Sequence, residues 1–205
     1  MKAIQVLLAV SALHLPAAQA ALLTEDSPAG PATAVLDTNT GLVWLKLSVT
    51  ENTAINQVLA ESAPGGRLEG FGYATVGAFC EFISTNAGVG CRSRTEDVDR
   101  VSAFFSVIGG PRLSPDDGFG SIAALDPPTA ENRMAYASSF RLYSEPSPHY
   151  ETDLQAVTAN AQLLAEPSRH WLVREAHVVP EASSLALLGL GAAVLAGLRR
   201  KRPGP

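Results

Sequence analysis

The chain has 205 residues, of which 46% are hydrophobic and 17% charged, and its formal net charge is −5. This acidic balance argues against a nucleic-acid-binding protein and against attachment to anionic lipid by charge alone. Residues 21–178 lie between two unusual terminal segments and are long enough for one domain with a hydrophobic core.

Residues 1–20 have the pattern of a secretory signal peptide. Lys2 gives a positive start, residues 3–15 are mostly apolar, and the segment from Ala18 to Ala20 has the small-residue pattern of a cleavage site. We therefore predict cleavage after Ala20 and export of the rest of the chain. The alternative is an uncleaved N-terminal anchor, which is disfavoured because Pro16 interrupts the short apolar stretch.

The start of the domain predicts a β-hairpin. Residues 21–34 are small, polar and rich in proline, and we expect them to form a loose leader. Strands are expected at 34–36 and 42–47, on either side of a tight turn from Asp37 to Gly41. Asp37 and Asn39 also match the start of a calcium loop, but the later acidic ligands of an EF-hand do not follow, so a turn is favoured.

Three short helices are predicted next, each preceded by a threonine that caps the first turn. They span residues 54–62, 76–85 and 96–108, and the capping residues are Thr53, Thr75 and Thr95. Apolar residues recur at helical spacing in all three segments. The acidic residues that open the third helix suit the positive end of the helix dipole better than a metal site. No metal site and no cofactor are therefore predicted.

The remainder of the domain is predicted to be rich in β-strands. Residues 118–125 and 133–143 partly alternate between apolar and polar side chains, and we expect them to pair. Residues 152–165 fit either a strand or a helix, and a strand near Val157 is favoured; residues 171–174 are expected to form the closing strand. The order of a hairpin, helices and then antiparallel strands predicts the α+β class.

The chain contains two cysteines, Cys80 and Cys91. An even number of cysteines in an exported protein favours a disulfide, and closing this short loop contributes about 3 kcal/mol on the loop-entropy model. Paired metal ligands are the alternative, but two cysteines without clustered histidines do not match a zinc site. A catalytic thiol is disfavoured because no histidine lies near Cys80 in the sequence.

The end of the chain has three parts in a fixed order. They are a short motif (Val179, Pro180, Glu181 and Ala182), an uncharged apolar run over residues 182–198, and a basic cluster (Arg199, Arg200, Lys201 and Arg202). As a helix the apolar run spans roughly 25 Å, the short end of what a bilayer core accepts. We predict a transmembrane helix over 182–198, with the basic cluster as its cytoplasmic stop. A buried core helix is the alternative, but the run has no polar face.

This ordered combination over residues 179–202 resembles a PEP-CTERM sorting signal, the C-terminal tag of many exported proteins of Gram-negative bacteria. Ala182 stands where the family usually has a proline. The resemblance implies an exosortase-type enzyme as the processing partner, with cleavage near Pro180 and Glu181. It also implies transient anchoring in the inner membrane with the domain in the periplasm, followed by delivery to the cell surface or the exopolysaccharide matrix.

No catalytic motif occurs in the domain, so we predict a matrix or surface protein without catalysis of its own. One alternative is a carbohydrate-binding module on exopolysaccharide. Residues 36–45, 65–75 and 170–174 resemble a recurrent type of PEP-CTERM ectodomain and are reminiscent of C-type-lectin-like domains.

Three aromatic residues, Trp44, Trp171 and Tyr73, are the candidates for stacking on a sugar, although their interpretation as core residues is favoured. A second alternative is a secreted hydrolase with a dispersed site. It requires a nucleophile within hydrogen-bond reach of His149 or His170.

Overall fold

The computed structural model describes residues 21–125, 134–158 and 167–176. These residues form mostly β-strands, together with three α-helices and one short 3-10 helix. The strands are β1 (Leu22–Ser27), β2 (Gly30–Asp37), β3 (Leu42–Leu45), β4 (Gly72–Tyr73), β5 (Ser93–Thr95), β6 (Gly118–Leu125), β7 (Met134–Tyr143), β8 (His149–Thr158) and β9 (Leu172–Glu175). The helices are the 3-10 helix (Leu47–Val49), α1 (Ile55–Glu61), α2 (Val76–Ala87) and α3 (Val98–Val107). The predicted combination of strands and helices is confirmed.

The first sheet has five antiparallel strands in the order β1-β2-β3-β9-β4. The prediction of a loose leader over residues 21–34 was wrong, because β1 and the start of β2 together occupy most of it, and β1 pairs with β2 from Leu22 opposite Asp37 to Ser27 opposite Gly30. The proline content misled the prediction: Pro28 lies in the turn between the strands and Pro31 in β2. The predicted closing strand is confirmed as β9, which lies between β3 and β4.

The turn between β2 and β3 forms as predicted and is held by the Asp37 side chain. The Asn39 amide donates to Asp37 Oδ1 at 3.0 Å, and the Thr40 hydroxyl donates to Asp37 Oδ2 at 3.0 Å. Gly41 adopts φ of 70°, a left-handed conformation that glycine reaches at little steric cost. Asp37 is fully buried, and its carboxylate is used by the turn as an acceptor.

The three predicted helices are present, but only one predicted cap is. Thr75 Oγ1 accepts from the Ala78 amide at the start of α2, as predicted. Thr53 instead bridges to Ser168, and Ala54 opens α1 without a side-chain cap. Thr95 lies in β5 opposite Tyr150, so Asp97 caps α3 through the Arg100 amide. The two cap predictions were wrong because the backbones of Thr53 and Thr95 pair with distant segments, and this tertiary pairing overrides the local capping preference.

The second sheet has four antiparallel strands in the order β5-β8-β7-β6. The predicted pairing of residues 118–125 with 133–143 is confirmed as β6 with β7, and the strand expected near Val157 is β8. The two sheets are joined at β6. Ile122 accepts from the Trp171 amide at 2.9 Å and donates to the Arg169 carbonyl at 2.8 Å.

An aromatic cluster fills the main core where the helices meet both sheets. The Trp44 ring stacks on Phe82 with 4.1 Å between centroids, and Trp171 meets Trp44 edge-on at 6.4 Å. Phe104 and Phe105 of α3 extend the cluster towards the second sheet. These rings come from separate parts of the chain, so their packing holds α2, α3 and both sheets together.

Within the described ranges, no helix is long and apolar enough to cross a membrane. The predicted transmembrane helix over residues 182–198 and the predicted signal peptide over residues 1–20 lie outside the described residues.

Truncating the central ring of the aromatic cluster is expected to destabilise the domain strongly. Phe82→Ala removes the ring that stacks on Trp44 and leaves a cavity, so the free energy of unfolding should fall by about 3–5 kcal/mol. Urea denaturation followed by tryptophan fluorescence measures the change. The control is Leu23→Ala, because Leu23 is 49% exposed and its truncation should change the free energy by about 0.5 kcal/mol or less. Equal effects of the two substitutions would contradict this assignment of the core.

Candidate functional site

The residues predicted to direct sorting lie outside the described ranges. They are the cleavage residues Ala18 and Ala20, the motif Val179, Pro180, Glu181 and Ala182, and the basic cluster Arg199, Arg200, Lys201 and Arg202. The structure does show where the described domain meets these segments. It also shows the predicted cysteines, histidines and aromatic residues, and a polar cleft that the sequence did not reveal.

Both ends of the described domain are attached to the turn between β2 and β3. At one end the Ala21 amide donates to Thr38 Oγ1 at 2.9 Å, and the Thr38 amide donates to the Ala21 carbonyl at 3.1 Å. At the other end the Ala176 amide donates to the Gly41 carbonyl at 3.0 Å. The segment before Ala21 and the segment after Ala176 therefore leave the domain at the same turn.

Cys80 and Cys91 lie next to each other, as predicted. Their Cα atoms are 5.2 Å apart and their sulfur atoms are within bonding distance. Cys80 lies on α2, and Cys91 lies in the loop that follows it. Two further contacts fix this loop: Arg92 donates twice to the Leu154 carbonyl, at 2.9 and 2.7 Å, and Gly90 accepts from the Thr152 hydroxyl.

The three aromatic residues considered for sugar stacking do not offer a free ring face. Trp44 and Trp171 are each 1% exposed and belong to the aromatic cluster, which confirms their interpretation as core residues. Tyr73 is half-buried, meets the His170 ring edge-on and donates its hydroxyl to that ring. A platform of exposed aromatic rings is therefore not formed by these residues.

His170 is fully buried, and both of its ring nitrogens form hydrogen bonds. Nε2 lies 2.7 Å from the Thr53 carbonyl, which can only accept, so Nε2 carries the proton. Nδ1 then accepts from the Tyr73 hydroxyl at 2.8 Å. Burial lowers the pKa of His170, against the opposing effect of the Thr53 hydrogen bond, and burial raises the pKa of the Tyr73 hydroxyl. His170 is therefore neutral, and its role here is to join β9 to β4 and to the Thr53 loop.

His149 is also buried, with Nδ1 at 2.8 Å from the Ser147 carbonyl and Nε2 at 3.5 Å from Glu151. Within the described residues, neither histidine has a serine hydroxyl or a thiol as a hydrogen-bond partner. The same ranges contain no group of three or more His, Cys, Asp or Glu residues placed to hold a metal ion.

A polar cleft of about 550 Å³ lies over the outer face of β6, β7 and β8. Gly120, Ser139, Asp153 and Gln155 form its floor, and the segment 167–169 forms one side. Sequence analysis missed these residues. The available signal was the period-two recurrence of polar residues along β8, which marks one solvent-facing side of a strand.

The C-terminal residues match the family model described as the PEP-CTERM protein-sorting motif. The match covers residues 178–201, one position earlier at each end than the predicted 179–202, so the predicted C-terminal sorting motif is confirmed. In this segment the chain is similar to PEP-CTERM domain-containing proteins. Such a motif implies export, a C-terminal anchor and recognition by an exosortase-type processing enzyme. No curated protein and no solved structure matches the chain.

The buried neutral His170 is expected to make the domain less stable in acid. Its pKa is lowered on folding from the ordinary 6.5, so the unfolded chain binds the extra proton more readily. This contribution is fully present above pH 6.5 and is lost as pH falls from that value towards the lower folded pKa, by up to about 1.4 kcal/mol per pH unit.

The measurement compares urea denaturation at pH 7.5 and 5.5 for the unsubstituted chain and for His170→Gln. The substituted chain should be less stable at pH 7.5 but should lose less stability between the two pH values. An identical loss in both chains would show that His170 does not cause the acid sensitivity.

Proposed function

We propose that the protein is an exosortase substrate that is exported, held briefly in the inner membrane by its tail and then delivered to the cell surface or the exopolysaccharide matrix. The observation that carries this proposal is the sorting motif at residues 178–201, which follows the last described residue of the domain almost directly. The protein acts there without catalysis of its own, as a delivered binding or structural domain.

The attachment of both chain ends at one turn supports this route. Ala21 and Ala176, the described residues nearest to the predicted leader and tail, are both hydrogen-bonded to the turn, at Thr38 and Gly41. One end of the domain can therefore face the bilayer while the rest stays clear of it. The motif lies three positions beyond Ala176, outside the strand pairing of β9, where a membrane-embedded enzyme can reach an extended peptide.

The polarity of the tail supports the orientation. The apolar run over residues 182–198 carries no charge, and the cluster from Arg199 to Arg202 follows it immediately. Because cationic residues are retained on the cytoplasmic side, the domain lies in the periplasm while the anchor is intact. Cleavage near Pro180 and Glu181 would separate the domain from this anchor.

Disruption of the motif is expected to block release from the membrane. In a host with an active exosortase, the full chain carrying Pro180→Ala and Glu181→Gln should accumulate as an uncut precursor in the membrane fraction. The reason is that the enzyme no longer recognises the sorting motif. Fractionation and immunoblotting measure the ratio of membrane-bound to surface-released protein.

The matched control for the proline substitution is Pro203→Ala, which makes the same proline-to-alanine change beyond the basic cluster and should be released normally. A second variant, Ala182→Pro, introduces the proline that the family usually has at this position. It should be processed at least as well as the unsubstituted chain. Normal release of the Pro180 and Glu181 double variant would rule out motif-directed processing.

The neighbouring cysteines support export to an oxidising compartment, where we propose that Cys80 and Cys91 form a disulfide. Replacing both cysteines with alanine should lower the free energy of unfolding by about 3 kcal/mol, because the unfolded chain gains the freedom of the open loop. Urea denaturation with and without dithiothreitol measures this. Dithiothreitol should destabilise the unsubstituted chain and leave the double alanine variant unchanged; insensitivity of the unsubstituted chain would show that no such bond forms.

A further inference from the structure

We propose that the polar cleft over β6, β7 and β8 binds neutral polyhydroxylated ligands, specifically the hexose units of a polysaccharide. This inference rests on the proposed function, because delivery to the matrix is what places the domain among such polymers. It assigns a binding role to residues other than the aromatic residues first considered for that purpose.

Strand register places the polar groups of the cleft side by side. Gly120 lies opposite Ser139, and Ser139 lies opposite Asp153. Residues directly opposite each other in an antiparallel sheet point to the same face, so these three form one row across the sheet. Gln155 lies two positions beyond Asp153 on the same face of β8.

Gly120 gives the cleft its depth. It has no side chain, and a Cβ atom at this position would meet only the Ser138 carbonyl oxygen, at 3.9 Å. The space above Gly120 is therefore open and lies beside the Ser139 hydroxyl. The cleft volume of about 550 Å³ is within the range of small-molecule sites and leaves room for one or two sugar rings.

The hydrogen-bonding groups of the cleft are held in place and retain spare capacity. Asp153 Oδ1 accepts from the Leu154 amide at 2.9 Å, and Oδ2 accepts from Gln155 Nε2 at 2.6 Å. Each carboxylate oxygen keeps a further lone pair, and Gln155 keeps its amide oxygen. Within the described ranges, the Ser139 hydroxyl has no hydrogen-bond partner. Adjacent sugar hydroxyls, which both donate and accept, match this combination of carboxylate, amide and hydroxyl groups.

The charges around the cleft favour a neutral ligand. Arg169 on its side pairs with the Glu51 carboxylate, so its positive charge is already balanced. Asp153 has no cationic partner within the described residues and leaves the floor negative. A uronic acid would bring a second carboxylate close to Asp153, and like charges at short range oppose binding.

The described residues that line the cleft include no aromatic ring, so affinity depends on hydrogen bonds that compete with water, and a dissociation constant of about 0.1–1 mM is expected. The experiment measures binding of the full chain to neutral hexasaccharides (cellohexaose, maltohexaose and mannohexaose), to a hexauronate and to free glucose, by isothermal titration calorimetry. At least one neutral hexasaccharide should bind. The affinities of the hexauronate and of free glucose should each be lower by a factor of about ten or more.

The decisive variant is Gly120→Val, which fills the cleft with a residue that suits a strand. Its matched control is Gly72→Val, since Gly72 is also an exposed strand glycine whose added Cβ atom meets nothing within 4 Å. Gly120→Val should weaken binding about tenfold or more, and Gly72→Val should leave it within about twofold. Asp153→Asn is the second variant: it should weaken binding of the neutral hexasaccharide and reduce the discrimination against the hexauronate.

Failure of all three neutral hexasaccharides to bind would overturn the inference, as would equal binding by the two glycine variants, or tighter binding of the hexauronate. Equal affinity for glucose and a hexasaccharide would overturn the assignment to a polysaccharide. The test is separate from that of sorting. If release depends on Pro180 and Glu181 but no sugar binds, only the cleft inference is refuted. If sugar binds but the chain is released independently of the motif, only the proposed route is refuted.

Discussion

The structure depends on the turn from Asp37 to Gly41. The buried Asp37 carboxylate accepts two hydrogen bonds from within the turn, and Thr38 and Gly41 then hold Ala21 and Ala176 at the two ends of the described chain. The same turn aligns β2 with β3, and β3 pairs with β9. Through β3 and β9 the turn therefore helps to position Ala176, the last described residue before the sorting motif. The turn interpretation of Asp37, which the sequence favoured over a calcium loop, is therefore confirmed, and the carboxylate is a structural acceptor.

Local signals in the sequence were sufficient for the features that depend on neighbouring residues. The Asp37 turn, the Thr75 cap, the pairing of β6 with β7 and the closing strand all follow from patterns over a few positions. The sorting motif belongs to the same group, because its three parts are contiguous. The cysteine pair was predictable from the number of cysteines and the compartment.

Features that depend on distant pairing were not predictable in this way. Thr53 and Thr95 are good capping residues, but pairing with Ser168 and Tyr150 places them in bridges and strands. Residues 21–34 look loose by composition, yet they contain β1 and the start of β2, which are held by their hydrogen bonds to each other. The cleft was missed for the same reason, since Gly120, Ser139 and Asp153 come together only through the register of three strands. No single segment of the sequence contains a pattern that would predict this cleft.

Delivery and binding are therefore assigned to different parts of the molecule. In the proposed account the tail directs sorting and the outer face of the second sheet binds a ligand, while the aromatic cluster stabilises the domain. This separation explains why the absence of a catalytic motif does not leave the domain without a role. A rigid sheet that presents a fixed carboxylate, an amide and a hydroxyl can retain a polymer without altering it.

Intact mass spectrometry of the surface-released protein tests the central claim most directly. The account predicts a chain that begins at Ala21, ends near Pro180 and Glu181, and is lighter by two hydrogen atoms because Cys80 and Cys91 are joined; an attached group at the new C-terminus would add a defined mass. Released protein that still carries residues 182–202 would contradict processing at the sorting motif.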